Sequence, residues 1–432
     1  MPKRTSKLAE LGKALKENNI TFSAIEKNDE VINVMKKNAE MIEDYRHESY
    51  VRHILSEVVM ITFFAALANA DGWSEIEVFA KEKEAWLRRY LELPYGVPTD
   101  DTIRLVISNI DTEQFYRLTI AFLIETINSM LACAGVREEE FEPDVLAIDG
   151  KESRGSKRGR MSAEEAAALM SLNVYSTAYR MCLVQEFIGE KTNEIPAARE
   201  ALKLFDFKGD IVTADAMNCQ KDTAKAVIGG GGEYVLALKG NQKLFYEEVV
   251  AFFDEACLNG LKAKEKEGNY HRTAEKEHGG AVIREYYISD EIEWFAEAEK
   301  WAGLKTFGMV KKTHNKNNGE VAVECRYYIC SIPAKAELFS RAARGHWGIE
   351  NNLHWSLDVV FNDDKNTSMA KTGAKNLQIM KKIVLAVLEI VKTSYKMSLS
   401  KIRYKLSLNF ETNIENLLSL LSVNAVAKAL IK

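Results

Sequence analysis

From about residue 40 to about residue 135 apolar positions recur at helical spacing, and no run alternates as a strand does. Val58 to Ala70 (VVMITFFAALANA) is apolar all round, which predicts a helix buried in a core. At 13 residues, broken by Thr62 and Asn69, it falls short of the roughly 20 that a membrane-spanning helix needs. Pro94 and Pro98 bracket a turn, and Thr99 to Thr102 (TDDT) offers caps for a helix carrying Ile103, Val106, Ile107 and Ile110. A compact helical domain is expected over residues 1–140. Its helix-turn-helix spacing suits DNA binding and suits any small helical domain equally well.

The texture changes at Pro143. DVLAID, LMSLNVYS and MCLVQEFIG read as three strands, followed by an amphipathic helix over Glu194 to Phe205. DIVTADA then predicts a strand ending near Asp215, Gln220 to Val227 a helix, and EYVLALK a further strand. Three strands before the first helix argue against a doubly wound dinucleotide fold and for a mixed α/β sheet of the ribonuclease-H-like kind. A helix over Gln242 to Ala256 leads into the strand-like pieces VIREYYIS, KTFGMVKK and VAVECRYYIC, with THNKNNGE as a hairpin turn. The expected division is therefore helical over 1–140, ribonuclease-H-like over 141–256, a β insertion over 257–333, a return to the core over 334–390, and a helical tail over 391–432.

Composition narrows the classes without naming one. Hydrophobic residues make up 47%, charged residues 28%, and 6 Pro stand against 24 Gly, as in a folded globular protein rather than a disordered or collagenous one. The six cysteines form no C-x-x-C pair, so neither a zinc ribbon nor a disulfide framework is suggested. The opening MPKRTSKLAELGKALKENN lacks the apolar stretch of a signal peptide, and a reducing cytoplasm is the expected location. A net charge of −5 gives no global attraction to nucleic acid, so any polyanion site has to be local. The run Lys151, Arg154, Lys157, Arg158 and Arg160, with Glu152 as its one acid, is the densest such element.

Two leads carry chemistry. Asp149 and Asp215 each stand where an apolar strand ends, and adjacent strands ending at one sheet edge would bring them together. Two carboxylates side by side repel, which raises a pKa or recruits a cation, and oxygen-only ligands favour Mg²⁺ or Mn²⁺. Alone, Asp149-Gly150 also suits a turn and Asp215 a helix cap. In RGHWGIENNLHWSLDVVF the groups His346, Glu350, His354 and Asp358 ladder at four-residue spacing along one face of a helix, opposite Trp347, Ile349, Leu353 and Leu357. A zinc site from His346, Glu350 and His354 fits that spacing, although no H-E-x-x-H is present. The run Gly229 to Gly232 follows a helix and precedes a strand, the reverse of a phosphate loop.

Taken together, AIDGKESRGS, KTNEIPAARE, DIVTADAMNCQKDTAKAV, GGEYVLALKGNQ and RGHWGIENNLHWSLDVVFNDD resemble the motif series of bacterial insertion-sequence transposases of the ISAs type, the family that includes the H-repeat-associated proteins. The resemblance runs from about Tyr45 to Leu388. It implies a ribonuclease-H-like DDE domain with Asp149, Asp215 and Glu350 as the catalytic, metal-binding triad, holding two divalent ions, Mg²⁺ or Mn²⁺. It also implies a DNA-binding helical domain, cleavage and joining of double-stranded DNA at the element's inverted-repeat ends and target, a homodimer on DNA, and a nucleoid-associated location. Lys151, Arg154, Lys157 and Arg158 after the first aspartate, Lys239, Asn241 and Gln242 after the last core strand, and Arg344, His346 and His354 on the glutamate helix are the expected DNA contacts. Where the family has His-Gly-Arg this chain has His278-Gly279-Gly280, and Ala343, His346 and Leu357 stand where the wider group has Tyr, Arg and Lys around its glutamate. A metal-dependent nuclease without strand transfer, an inactive DNA-binding relative and a zinc hydrolase are the competing readings.

Overall fold

The computed structural model describes residues 28–133, 142–154, 168–188, 194–277, 280–365 and 371–421. Helices α1 (Asn28–Glu40), α2 (Leu55–Leu67), α3 (Trp73–Glu82), α4 (Glu84–Leu87), α5 (Asp100–Asn109) and α6 (Thr112–Cys133) precede the first strand. Every residue of α2 is buried, as its unbroken apolar surface requires. Thr99 caps α5 by accepting from the Thr102 N–H at 3.4 Å, and Ile103, Val106 and Ile107 turn its apolar stripe inward.

Strands β1 (Val145–Ser153), β2 (Leu169–Ser176) and β3 (Met181–Ile188) come next, then α7 (Glu194–Leu202), β4 (Ile211–Ala214), α8 (Lys221–Gly229) and β5 (Glu233–Leu238). This is the expected order. The single helix expected over Gln242 to Ala256 is two, α9 (Lys243–Phe252) and α10 (Glu255–Ala263), because Asp254 caps a new helix by accepting from the Cys257 N–H. Strands β6 (Tyr270–Glu277), β7 (Gly280–Ser289), β8 (Thr306–Lys316) and β9 (Val321–Cys330) follow. All nine strands form one mixed sheet in the order β3-β2-β1-β4-β5-β9-β8-β7-β6. The β1/β4 and β4/β5 pairs are parallel and the others antiparallel. The segment expected as an insertion thus extends the sheet: β9 pairs with β5 from Val235↔Cys330 to Leu238↔Tyr327.

Helix α11 (Ala336–Gly348) lies across that sheet, and Phe339, Ala342 and Ala343 share a core with Val145, Ile211, Val235, Tyr286 and Tyr328. The helix expected over Ala334 to Val360 changes pitch at its centre: Ile349–His354 is π-helical, and α12 (Trp355–Val359) resumes the α form. Helices α13 (Lys371–Tyr395), α14 (Leu399–Leu408) and α15 (Phe410–Ser419) complete the described chain. The boundary expected at 390/391 falls inside α13.

These last helices share one core with the first ones. Phe410 packs edge-on against Trp86 at 4.9 Å and Phe79 at 5.0 Å. Asn376 donates to the Ile107 and Ile110 carbonyls at 2.7 and 2.9 Å, satisfying the end of α5. Arg403, fully buried, binds Asp71 at 2.6 Å, donates to the carbonyls of Ala66 and Val360, and lies 4.1 Å over the Phe361 ring. One guanidinium therefore ties the end of α2, the turn before α3 and the chain just past α12. Arg403→Ala leaves the half-buried Asp71 without its counter-charge and the Ala66 and Val360 carbonyls without their donor, and a loss of about 2–4 kcal/mol in urea unfolding is expected; a loss under about 1 kcal/mol would contradict this account.

Candidate functional site

Parallel pairing sets Ile148 opposite Ala214, so the next residues, Asp149 and Asp215, leave the same edge of the sheet on the face covered by α11. Strand β4 stops at Ala214 while β1 runs on through Gly150 to Ser153 beside β2. The Asp149-Gly150 pair is thus strand and not turn. Asp215 is also the cap its sequence allowed, accepting from the Asn218 N–H and the Asn218 side chain, both at 3.2 Å. The strands part at this point and open a crevice beyond their carboxyl ends, the usual place for a ligand in an open α/β sheet.

Glu350 comes from the π-helical turn and is exposed. Burial pushes the Asp149 carboxyl up to about 7, helped by the charge of Asp215 and then by that of Glu350. Glu194, the first residue of α7, also faces this space: burial and the Asp215 charge raise its carboxyl. The side chain passes so close to β1 that a methyl added at Gly150 would meet Glu194 Oε1 at 2.2 Å, so a larger residue there requires the Glu194 carboxylate to swing away. Glu194 escapes a reading of the sequence because an acid in the first turn of a helix is ordinary. Four carboxylates thus ring one crevice without closing on a point. Among the described residues no three His, Cys, Asp or Glu side chains stand as a ready ligand set. The donors are all hard oxygens carrying uncompensated negative charge, which fits Mg²⁺ or Mn²⁺.

The glutamate helix grips the sheet through its other ionisable groups. His346 Nδ1 lies 3.3 Å from Thr213 Oγ1, and His354 Nδ1 lies 3.5 Å from Asp149 Oδ2. Burial holds His354 down to about 3 and His346 down to about 4, so both rings are neutral. Asn173 donates to His354 Nε2 at 3.3 Å, its own oxygen accepting from the buried Lys382, which leaves the ring proton on the nitrogen facing Asp149. The two histidines are spent on different strands, which argues against the zinc reading.

The expected DNA contacts divide. Lys151 is buried within β1 and ion-paired with Asp358, so it braces the glutamate helix and is withdrawn as a phosphate contact. His346 and His354 point inward and are withdrawn for the same reason. Asn241 donates to the Ala216 carbonyl, and Gln242 lies 3.4 Å from the Cys219 carbonyl, so both amides brace the loop after Asp215. Lys239 is exposed beside the crevice, and its charge reaches His346. Arg154 is exposed at the end of β1, and Arg344 is exposed but paired with Glu275. Lys157, Arg158 and the departure at His278 and Gly279 lie outside the described residues.

The family described as "Transposase DDE domain" matches residues 140–387, and "DDE_Tnp_1-associated" matches residues 38–123. The chain belongs to the DDE transposase family. Among its relatives, "Putative transposase YncI" of Escherichia coli O157:H7 is 34% identical over 85% of this chain and 90% of its own length. The "H repeat-associated putative transposase YhhI" of E. coli K12 is 34% identical over 75% of this chain and 82% of its own. The "Inactive transposase YbfQ" of the same strain is 37% identical over 15% of this chain and 77% of its own. A piggyBac transposase synaptic complex with hairpin DNA overlaps 96% of this chain and 84% of its own at 10% identity and a TM-score of 0.36, too loose a likeness to bear on function. Among the described residues no helix is long and apolar enough to cross a membrane.

The crowding of carboxylates has a measurable cost. Below the ordinary carboxylate range Asp149 is protonated both folded and unfolded. As pH rises the unfolded chain ionises first, so the wild type loses stability until the folded carboxyl follows near 7. With divalent ions chelated, Asp149→Asn is expected to be more stable than wild type at pH 8 by about 1–4 kcal/mol, the difference vanishing near pH 3. Urea unfolding at both pH values checks this, and a variant less stable than wild type at pH 8 would contradict it.

Proposed function

We propose that the protein is a bacterial insertion-sequence transposase that binds the element's ends and, with divalent metal at Asp149, Asp215 and Glu350, cuts them and joins them to target DNA. The observation supporting this reading is the Asp149 carboxyl, raised to about 7 by burial and then by the charges of Asp215 at the end of β4 and Glu350 in the π-helical turn. The part of the sheet ordered β3-β2-β1-β4-β5, with β1, β4 and β5 parallel, supports a ribonuclease-H-like core.

Bound Mg²⁺ or Mn²⁺, as one or two ions, would polarise the attacking oxygen and offset charge on the leaving one. The residues of the chain position. Asp149 and Asp215 hold the sheet side of the crevice and Glu350 the helix side, with Glu194 adding a fourth negative charge beside Gly150. His354, kept neutral and oriented by Asn173 and Lys382, supports Asp149 without adding a counter-charge that would compete with metal. Lys151 pairs with Asp358 and so fixes the glutamate helix on β1. Cleavage by water and joining by a 3′-hydroxyl are the same in-line displacement with different nucleophiles, so one site serves both. Two ends have to be held at once, which calls for a dimer on DNA, and the reaction belongs where the chromosome is, at the nucleoid in the cytoplasm.

Asp149→Asn, Asp215→Asn and Glu350→Gln are each expected to slow Mg²⁺-dependent cleavage of labelled duplex carrying the element's ends by about a thousandfold or more, the several kcal/mol that a lost metal ligand costs, while end binding persists. A triad variant that nicks the ends at near wild-type rate would overturn the assignment.

A further inference from the structure

A cavity of about 530 Å³ lies against the next face of the glutamate helix, between α11 with its π-helical turn and strands β7, β8 and β9. Its walls carry Arg284, Lys312, Arg326 and Arg344, with Trp347 and the amides of Asn351 and Asn352 beside Glu350. Three of the cations come off three neighbouring strands on one face of the sheet: Arg284 stands directly opposite Lys312, and Arg326 opposite Val310 one pair along. Like charges directly opposite across strands destabilise a sheet, and Glu324, directly opposite Lys312 on β9, offsets part of that repulsion. Glu275 lies 3.2 Å from Arg284 and also binds Arg344, and Glu324 binds Arg326 at 2.7 Å. Four cations against two carboxylates leave the groove positive on a chain whose net charge is −5. The Arg326 guanidinium is stacked 4.2 Å from the Trp347 ring, which presets its plane and leaves less freedom to lose on binding an anion.

We propose that this groove is a DNA-backbone site, in which Arg284, Lys312, Arg326 and Arg344 take consecutive phosphates of the strand whose scissile phosphate lies at the carboxylates. The inference rests on the transposase reading and assigns the strand's path. Trp347, Asn351 and Asn352 lie within a turn of Glu350, so the groove begins where the reacting phosphate ends. The β6–β9 extension of the sheet thereby becomes a positively charged wall that holds DNA while the crevice cuts it. Lys239 is exposed on the other side of the glutamate helix, near enough for its charge to reach His346. An acidic protein segment is the other polyanion that four cations attract, but planar guanidinium and amide groups beside an aromatic ring suit phosphodiesters better.

The test measures affinity of the full chain for a fluorescein-labelled duplex of random sequence, in chelator so that no cleavage intervenes, across a range of salt. Arg326→Ala and Lys312→Ala are each expected to weaken binding several-fold and to lower the slope of log affinity against log salt by about one unit, whereas Arg326→Lys keeps the slope but loses part of the affinity with the stacked guanidinium plane. Circular dichroism shows that each variant is folded, and Lys312→Ala, which leaves the Trp347 stack intact, serves if Arg326→Ala is not. If wild type binds and both alanine variants match it in affinity and slope, the groove is not the DNA path and this inference alone falls. If wild type shows no salt-dependent affinity for DNA, or if a polyglutamate peptide binds in its place, the transposase reading falls with it.

Discussion

Parallel pairing of β1 with β4 is the constraint on which the site depends. Because Ile148 stands beside Ala214, the two aspartates that follow have to leave the sheet together, and because β4 ends there while β1 continues, they flank a gap and not a packed interface. Val145 to Ile148 of β1 and all four residues of β4 are buried where the two strands pair. Everything placed around the gap answers to that pair of charges. Glu350 in the π-helical turn acts on Asp149 by its charge, Glu194 passes close to Gly150, and two imidazoles are held neutral where a cationic side chain would have offset the carboxylates.

The glutamate helix shows how a departure from regular structure is retained at a working position. A π turn loosens hydrogen bonding and is rare outside functional sites. Here it lies between two anchors: Thr213 beside His346 on the N-terminal side, and Lys151 paired with Asp358 on the C-terminal side. Farther along, Arg403 binds the Val360 carbonyl and Asp71, so the same helix is also secured to the helical layer. The helices at the two ends of the described chain, drawn from the sequence as separate domains, therefore share one core beside the sheet.

Much of this was legible in the residues. Alternation and apolar runs located β1 to β5, and the two aspartates stood out as a pair, since each ends an apolar strand although either alone suits a turn or a cap. Glu350 was visible only as one rung of a polar ladder, and its role came from resemblance. Lys151 was misjudged because GKES has no apolar run, so β1 was taken to end at Asp149 when β2 in fact carries it on to Ser153. Strand β6 was missed for a similar reason: YHRTAEKE is a polar edge strand whose charges guard the sheet margin and leave no hydrophobic signal. The DNA contacts suffered most, since a basic or amide side chain reads alike whether it meets phosphate, as expected of Asn241 and Gln242, or braces a loop, as they do.

The central claim is that Asp149, Asp215 and Glu350 form one cation-binding centre. Calorimetric titration of Mn²⁺ into the full chain tests it without any appeal to catalysis. Saturable binding is expected in the wild type, with each of Asp149→Asn, Asp215→Asn and Glu350→Gln weakening it by tenfold or more, and with uptake accompanied by proton release near pH 7 as Asp149 gives up its proton. Binding of equal strength in all four proteins, or none in the wild type, would contradict the account.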